Sequence, residues 1–291
     1  MNKSIPFIFL AIFLCSCTTK KSSAQLHFQK ASQLYAEKNI AFASVEIDSA
    51  ARYDTANFDY LLLKAKIKNL AEFYDESNDI LKRLLVFNSE IDTINFLIGE
   101  NYFLLGEKYV FKEPDTVKRK YSYEQALVFY NKAIESNSKY FQAYFNKIKV
   151  LHNNEQYTES INIINTDLKI FPKEMSFILA RGITKYGLDD DNGALNDVNF
   201  AIESNMLDTP NLSNALRFRA TILLYKDSVN KALSDIDKAI YLRANDFMGY
   251  AVRGDIYKKM GIKDSACANY RKAADLGNTA IYSEIKSYCE K

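Results

Sequence analysis

The stretch FMGYAVRGDIYKKMGIKDSACANYRKAADL, residues 247–276, decides the reading of the whole chain. It contains two apolar-patterned segments of helical period, separated by Met260-Gly261-Ile262. Glycine at such a break suits the left-handed turn that ends one helix before an antiparallel one begins. Its small residues, Gly254, Ala266 and Ala273, alternate with the large Tyr250, Tyr257 and Tyr270. Small residues on facing helices permit close approach, and a large residue beside them fills what remains. The segment therefore reads as one helical hairpin.

The same pattern recurs upstream at a spacing of 34, in frames that begin at 24, 58, 92, 141, 175, 213 and 247. The third frame carries 15 extra residues and the fifth carries 4. The eighth slot holds Ala31, Ala65, Gly99, Ile148, Gly182, Ala220 and Gly254, and the twentieth holds Ala43, Ser77, Ala126, Ser160, Ala194, Ala232 and Ala266. The twenty-fourth is large: Ile47, Leu81, Tyr130, Ile164, Val198, Ile236 and Tyr270. The twenty-seventh holds Ala50, Leu84, Ala133, Asp167, Ala201, Ala239 and Ala273. A hairpin of this kind leaves apolar surface that its neighbour must cover, so stacking builds a continuous core.

This pattern resembles the tetratricopeptide repeat family over residues 24–280. The resemblance implies an all-α, right-handed superhelical solenoid of about seven hairpins, with a C-terminal capping helix over 281–291. Departures are the repeat-end proline, which appears only as Pro172, the buried-slot Asp167, and Asn95 and His27 where a large residue is usual. In the family, the first helix of each repeat lines a binding groove with roughly its second, fifth, ninth and twelfth slots. Those slots nominate Phe28, Tyr35, Phe96, Phe103, Phe145, His152 and Tyr186, with Lys66, Asn69, Glu100 and Lys149 as polar neighbours. The Lys, Asn and Arg set with which some members grip a C-terminal carboxylate is not present in order. An aromatic-rich groove suits an extended peptide, a partner helix or a glycan, while each ring could equally pack between hairpins.

The first residues are a targeting signal rather than part of the fold. Lys3 precedes an apolar run, Ile5 to Leu14, too short to cross a bilayer. Leu14-Cys15-Ser16-Cys17 then resembles the bacterial lipobox, with Cys15 where Ala, Ser or Thr is more usual. That resemblance implies a signal peptide over 1–16, lipidation at Cys17 and a lipidated linker over 17–23. The chain is thus expected in the bacterial cell envelope, held to a membrane by its acyl chains. Lysines rather than acidic residues follow the cysteine, which favours a periplasm-facing position over the cell surface.

Composition narrows the function. With a net charge of +2 across 291 residues, no global field points to nucleic acid. The two histidines, His27 and His152, fall in different frames, and neither a metal-ligand spacing nor a phosphate-binding glycine loop occurs. Asp189-Asp190-Asp191-Asn192-Gly193 invites a calcium loop, but the positions that such a loop needs as glycine and late carboxylate are Ala194 and Phe200. It reads instead as a hairpin turn whose acids cap the next helix. No catalytic residue, metal or cofactor is implied. The expected function is a scaffold for a protein or peptide partner, and the alternative is a binder of a glycan or peptidoglycan fragment.

Three further expectations concern local structure. Slot seven is basic in six frames, and Asp197 and Asp235 follow Arg181 and Arg219 by sixteen residues, which predicts ion pairs across hairpins, each worth about 0–1 kcal/mol if exposed. Cys267 and Cys289 lie at similar distances from a turn near Leu276 to Asn278, so they either form a disulfide or remain two buried thiols. The insertion over about 107–121 either projects to carry partner binding or simply lengthens both helices. Gly106 is expected at that hairpin's turn, and Pro114 and Pro210 are expected to break helices inside the two insertions.

Overall fold

A computed structural model describes residues 22–87, 90–111 and 115–290. The segment expected to be a signal peptide, Cys17 and Pro114 lie outside the described residues. Fourteen principal helices follow one another in pairs: α1 (22–36) and α2 (Ile40–Tyr53), α3 (Phe58–Leu70) and α4 (Tyr74–Leu84), α5 (Ile91–Phe111) and α6 (Thr116–Ser136), α7 (Phe141–Asn153) and α8 (Tyr157–Ile170), α9 (Met175–Gly187) and α10 (Asp191–Glu203), α11 (Thr209–Tyr225) and α12 (Val229–Leu242), and α13 (Phe247–Lys259) and α14 (Lys263–Asp275). Seven pairs match the seven frames, and no strand occurs among the described residues. The helices sort into two compact units that divide inside α7, between Lys147 and Ile148.

Local chemistry sets where the helices start and stop. Connectors between pairs end on capping side chains: Asn57 accepts from the Tyr60 amide, Asp208 from Asn211 and Asp246 from Met248. Within pairs, one turn residue adopts the left-handed region at slot fifteen of six frames: Lys38, Glu72, Glu155, Asp189, Asp227 and Gly261. Gly261 (φ +74°) alone among these six avoids the steric cost of a Cβ there. Asp190 caps α10 by accepting from the Gly193 amide at 2.9 Å, so the acidic run is a helix cap.

Every residue in the four repeat slots is buried. In five of the seven frames slots eight and twenty-four compensate each other in volume; Ile148 with Ile164 and Gly182 with Val198 do not follow this pairing. Ala31, Ala65 and Ala220 go with Ile47, Leu81 and Ile236, whereas Gly99 and Gly254 go with Tyr130 and Tyr270. A methyl group added at Gly99 would lie 2.8 Å from the Tyr130 ring, so the ring occupies the space that alanine fills elsewhere.

In the first unit, Ala24, Ala31, Ala43, Ile47 and Ala50 close α1 on α2, and Tyr60 and Ile67 of α3 complete that cluster. The insertion is helical. α5 and α6 each run 21 residues, against 13 or 14 in most of the other helices, so the extra sequence lengthens both. Asp115 caps the start of α6 through the Val117 and Lys118 amides. Gly106 is not at the turn: it lies inside α5, beneath the Tyr123 ring, whose hydroxyl donates to Glu107. Close helix contact, rather than a positive φ, is what requires glycine there.

In the second unit, Leu216, Ala220, Ile236, Ala239 and Ile256 form one cluster and Met175, Leu179, Val198, Ala201 and Ala215 another. Pro210 breaks nothing; it sits in the first turn of α11, where its missing N–H has no partner to lose. The fifth frame's extra residues thus mostly extend α11 to 17 residues. Arg181 donates to both carboxylate oxygens of Asp197, at 2.8 and 2.7 Å, and Arg219 to both of Asp235, at 2.7 and 2.8 Å. The Asp197 side chain is only 9% exposed and also meets Lys185 at 2.8 Å. Burial raises its pKa, but the hydrogen bonds and charges of Arg181 and Lys185 outweigh that and hold it below the usual carboxylate range. Such enclosed, bidentate pairs count for more than exposed ones, because loss of one partner strands the other.

The chain ends in a short irregular helical segment rather than a regular capping helix: one 3-10 turn (Thr279–Ile281), one α turn (Tyr282–Glu284) and one π turn (Ile285–Cys289). Ile281, Ile285 and Tyr288 close over Ala266 and Tyr270. A disulfide joins Cys267 of α14 to Cys289, with Cα atoms 5.7 Å apart.

Candidate functional site

The first unit holds a cavity of about 310 Å³ built from three successive first helices. α1 contributes Tyr35, α3 contributes Lys66 and Asn69, and α5 contributes Leu97, Glu100 and Asn101, over a floor of Ser77 and Leu81 from α4. The repeat register explains the convergence. Slots nine and twelve of a first helix differ by three residues, so they share one helix face. Stacking the frames brings those faces side by side.

Asn69, Asn101 and Ser77 of the cavity are held by a network of hydrogen bonds. The Asn69 Nδ2 donates to Asn101 Oδ1 at 2.6 Å. Asn101 Nδ2 donates in turn to Ser77 Oγ at 2.9 Å and to Asn78 Oδ1 at 2.8 Å, and Ser77 donates to the Ala65 carbonyl at 2.8 Å. Asn101, Asn78 and Ser77 are essentially buried, so this chain of amides fixes the cavity floor. Burial pushes the Tyr35 phenol up, and the nearby Glu100 carboxylate adds to the shift, so Tyr35 stays a neutral hydrogen-bonding group. A cation, a carboxylate, amides and a phenol beside leucines suit recognition of a neutral or mixed-charge polar segment.

The second unit has a cavity of about 510 Å³ lined by Leu224, Tyr225, Asp255, Lys258 and Lys259. Its lysines already have carboxylate partners within the chain: Lys258 meets Glu284 at 2.5 Å and Lys259 meets Asp227 at 2.7 Å. Asp255 accepts from the Tyr270 hydroxyl at 2.9 Å. Burial raises the Asp255 pKa despite that hydrogen bond. No group of three His, Cys, Asp or Glu side chains able to hold a metal ion occurs among the described residues, and no helix among them is long and apolar enough to cross a membrane.

Comparison with solved structures decides the fold. A crystal structure of a tetratricopeptide repeat protein from Parabacteroides merdae aligns with 93% of this chain and 100% of its own, at a TM-score of 0.73 and 18% identity. The chain has the tetratricopeptide repeat fold. Yeast Tom70 also aligns, at a TM-score of 0.63 and 16% identity, over 94% of this chain and 54% of its own. No family profile and no curated protein sequence matches the chain.

Within this tetratricopeptide repeat fold, the ring residues nominated for the groove are half-buried, and six of the seven meet neighbouring rings. Phe28 packs on Tyr60 at 4.9 Å, Phe96 on Tyr140 at 5.2 Å, Phe103 on Tyr123 at 6.1 Å and Tyr186 on Phe218 at 5.3 Å. Phe145 stacks on Phe141 at 5.9 Å. His152 has Tyr157 at 6.0 Å and Thr184 Oγ1 at 2.7 Å from its Nε2, and burial pulls its pKa down to about 4. Of the seven, Tyr35 lines the first-unit cavity, and three of the four polar neighbours, Lys66, Asn69 and Glu100, join it there. Lys149, the fourth, belongs to the other unit. Sequence reading missed Asp255 and Lys258, although both occupy slots nine and twelve of the last frame.

Proposed function

We propose that this chain is a non-catalytic scaffold of the bacterial cell envelope, lipid-anchored at Cys17 and facing the periplasm, that holds a protein or peptide segment against its repeat groove. The observation that carries the reading is the first-unit cavity, in which Tyr35, Lys66, Asn69 and Glu100 converge from three successive repeats on a hydrogen-bonded floor. A preformed polar site among apolar walls binds with little ordering cost. The disulfide between Cys267 and Cys289 supports an exported location, because such bonds persist outside the reducing cytoplasm.

The test uses the mature, acylated protein and crosslinked pulldown from its own cells. Lys66→Ala with Asn69→Ala should weaken recovery of the principal partner about tenfold while leaving helical content unchanged. Undiminished recovery would place recognition elsewhere. Quenching of tyrosine fluorescence by muropeptides, without any crosslinked protein, would overturn the protein-partner reading in favour of a glycan. Cys17→Ser should move the protein out of the membrane fraction; normal cleavage and retention in membranes would refute the anchor.

A further inference from the structure

We infer that one end of the first unit, centred on the connector Leu85–Phe87, rests in the lipid bilayer. The inference builds on the anchor at Cys17. Four residues, 18–21, separate that cysteine from Ser22, the first described residue of α1. Fully extended, they allow a reach of roughly 18 Å. The start of α1 is therefore confined to the neighbourhood of the membrane surface.

The contacts show what shares that end. Ser23 Oγ donates to the Tyr53 hydroxyl at 3.4 Å, and the Tyr60 hydroxyl donates to Gln25 Oε1 at 3.4 Å. Phe58, at the start of α3, has its ring 6.0 Å from that of Phe87. The start of α1, the end of α2, the start of α3 and the connector after α4 thus lie together. The hairpin turns lie at the other end, about 20 Å away along α1 at 1.5 Å per residue.

The membrane-side end exposes apolar surface that the fold does not cover. Val86 is 83% exposed, Leu26 53%, Tyr53 48% and Phe87 48%. Val86 and Phe87 stand in a single 3-10 turn, a shape that can enter the interface without exposing a strand edge. Tyr53 has the amphipathic ring favoured at the boundary between headgroup and acyl chain, and Phe87 is an apolar ring of the kind interfacial elements bury below it. The exposed charges at this end, Arg52, Lys82 and Arg83 against Asp54, Asp59 and Glu90, balance in number and so do not favour anionic lipid. The contact is therefore apolar and does not require an acidic headgroup.

The chain contains no tryptophan, so Phe87→Trp gives a single reporter. The mature acylated protein carrying it is reconstituted into phosphatidylcholine vesicles with brominated acyl chains. The expected result is emission shifted to shorter wavelength and quenched by the bromines. Phe42→Trp is the comparison: Phe42 is more exposed, at 65%, but lies near the hairpin-turn end, and its reporter should be neither shifted nor quenched. Equal quenching of the two, or none of either while the protein floats with the vesicles, overturns the inference. Failure to float overturns the anchor reading, and the inference with it. Should Phe87→Trp not fold, a nitroxide on Val86→Cys gives the same answer through its accessibility to oxygen over a water-soluble nickel chelate. That label is selective, because Cys267 and Cys289 are bonded to each other.

Discussion

Replacing Gly254 by alanine tests whether the repeats conserve volume rather than residue identity. A methyl group at Gly254 would sit 2.5 Å from Cδ1 of Tyr270, a side chain with no exposed surface. The ring would have to move by roughly 1 Å to reach ordinary contact, and overpacking of that size costs about 1–3 kcal/mol. Alanine recovers about 1 kcal/mol of helix propensity in α13. The single variant should thus lose about 0–2 kcal/mol. Tyr270→Ile alone opens space above the glycine and removes the hydroxyl bond to Asp255, at a cost of about 2–4 kcal/mol. The double variant recreates the alanine–isoleucine pairing of Ala31 with Ile47 and of Ala220 with Ile236. It should be more stable than the sum of the singles by about 1–2 kcal/mol. Urea unfolding followed by far-UV circular dichroism, with the disulfide intact, measures the cycle. Additivity within about 0.5 kcal/mol would refute the reasoning.

His152 makes stability pH-dependent in a defined direction. Its folded pKa of about 4 lies below the unfolded value, so its contribution is complete above about pH 6.5 and is lost as pH falls towards 4. His152→Gln, which keeps a donor for Thr184, should flatten that part of the stability curve by about 2–3 kcal/mol; an unchanged slope in chemical denaturation would show that the imidazole is not held neutral. The disulfide spans a sequence separation of 22, and closing such a loop limits the unfolded chain by about 3 kcal/mol. Cys267→Ser with Cys289→Ser should lower stability by about that amount, and thiol labelling of the unfolded, unreduced wild type should find neither of these cysteines free.

Much of the architecture was legible before any coordinates, because it repeats. Small residues at slot twenty of all seven frames and at slot eight of six, with a large one at twenty-four, specify hairpins that need one another, and those slots are buried throughout. The ion pairs of Arg181 with Asp197 and of Arg219 with Asp235 were likewise readable from spacing, since a hairpin fixes which residues face each other. Insertions were harder. Nothing in the order of residues 107–121 tells whether added length leaves the stack or lengthens its helices; packing under Tyr123 at Gly106 favours helix. The four-residue excess before Leu212 posed the same question, and the cap at Asp208 followed by Pro210 resolved it as an extra helical turn.

The sequence by itself thus determined the fold class, the hairpin count and the register, because these follow from periodic burial along one chain. It also named the anchor cysteine as an expectation. Only the tertiary structure decided which groove side chains are packing and which are presented. Phe28 and Tyr186 are rings facing the neighbouring repeat, whereas Lys66, Asn69 and Glu100 surround a cavity. A slot number fixes the direction in which a side chain leaves its helix. It does not fix whether the neighbouring repeat supplies a ring large enough to cover it, and that depends on contacts between residues about thirty positions apart, such as Asn69 with Asn101.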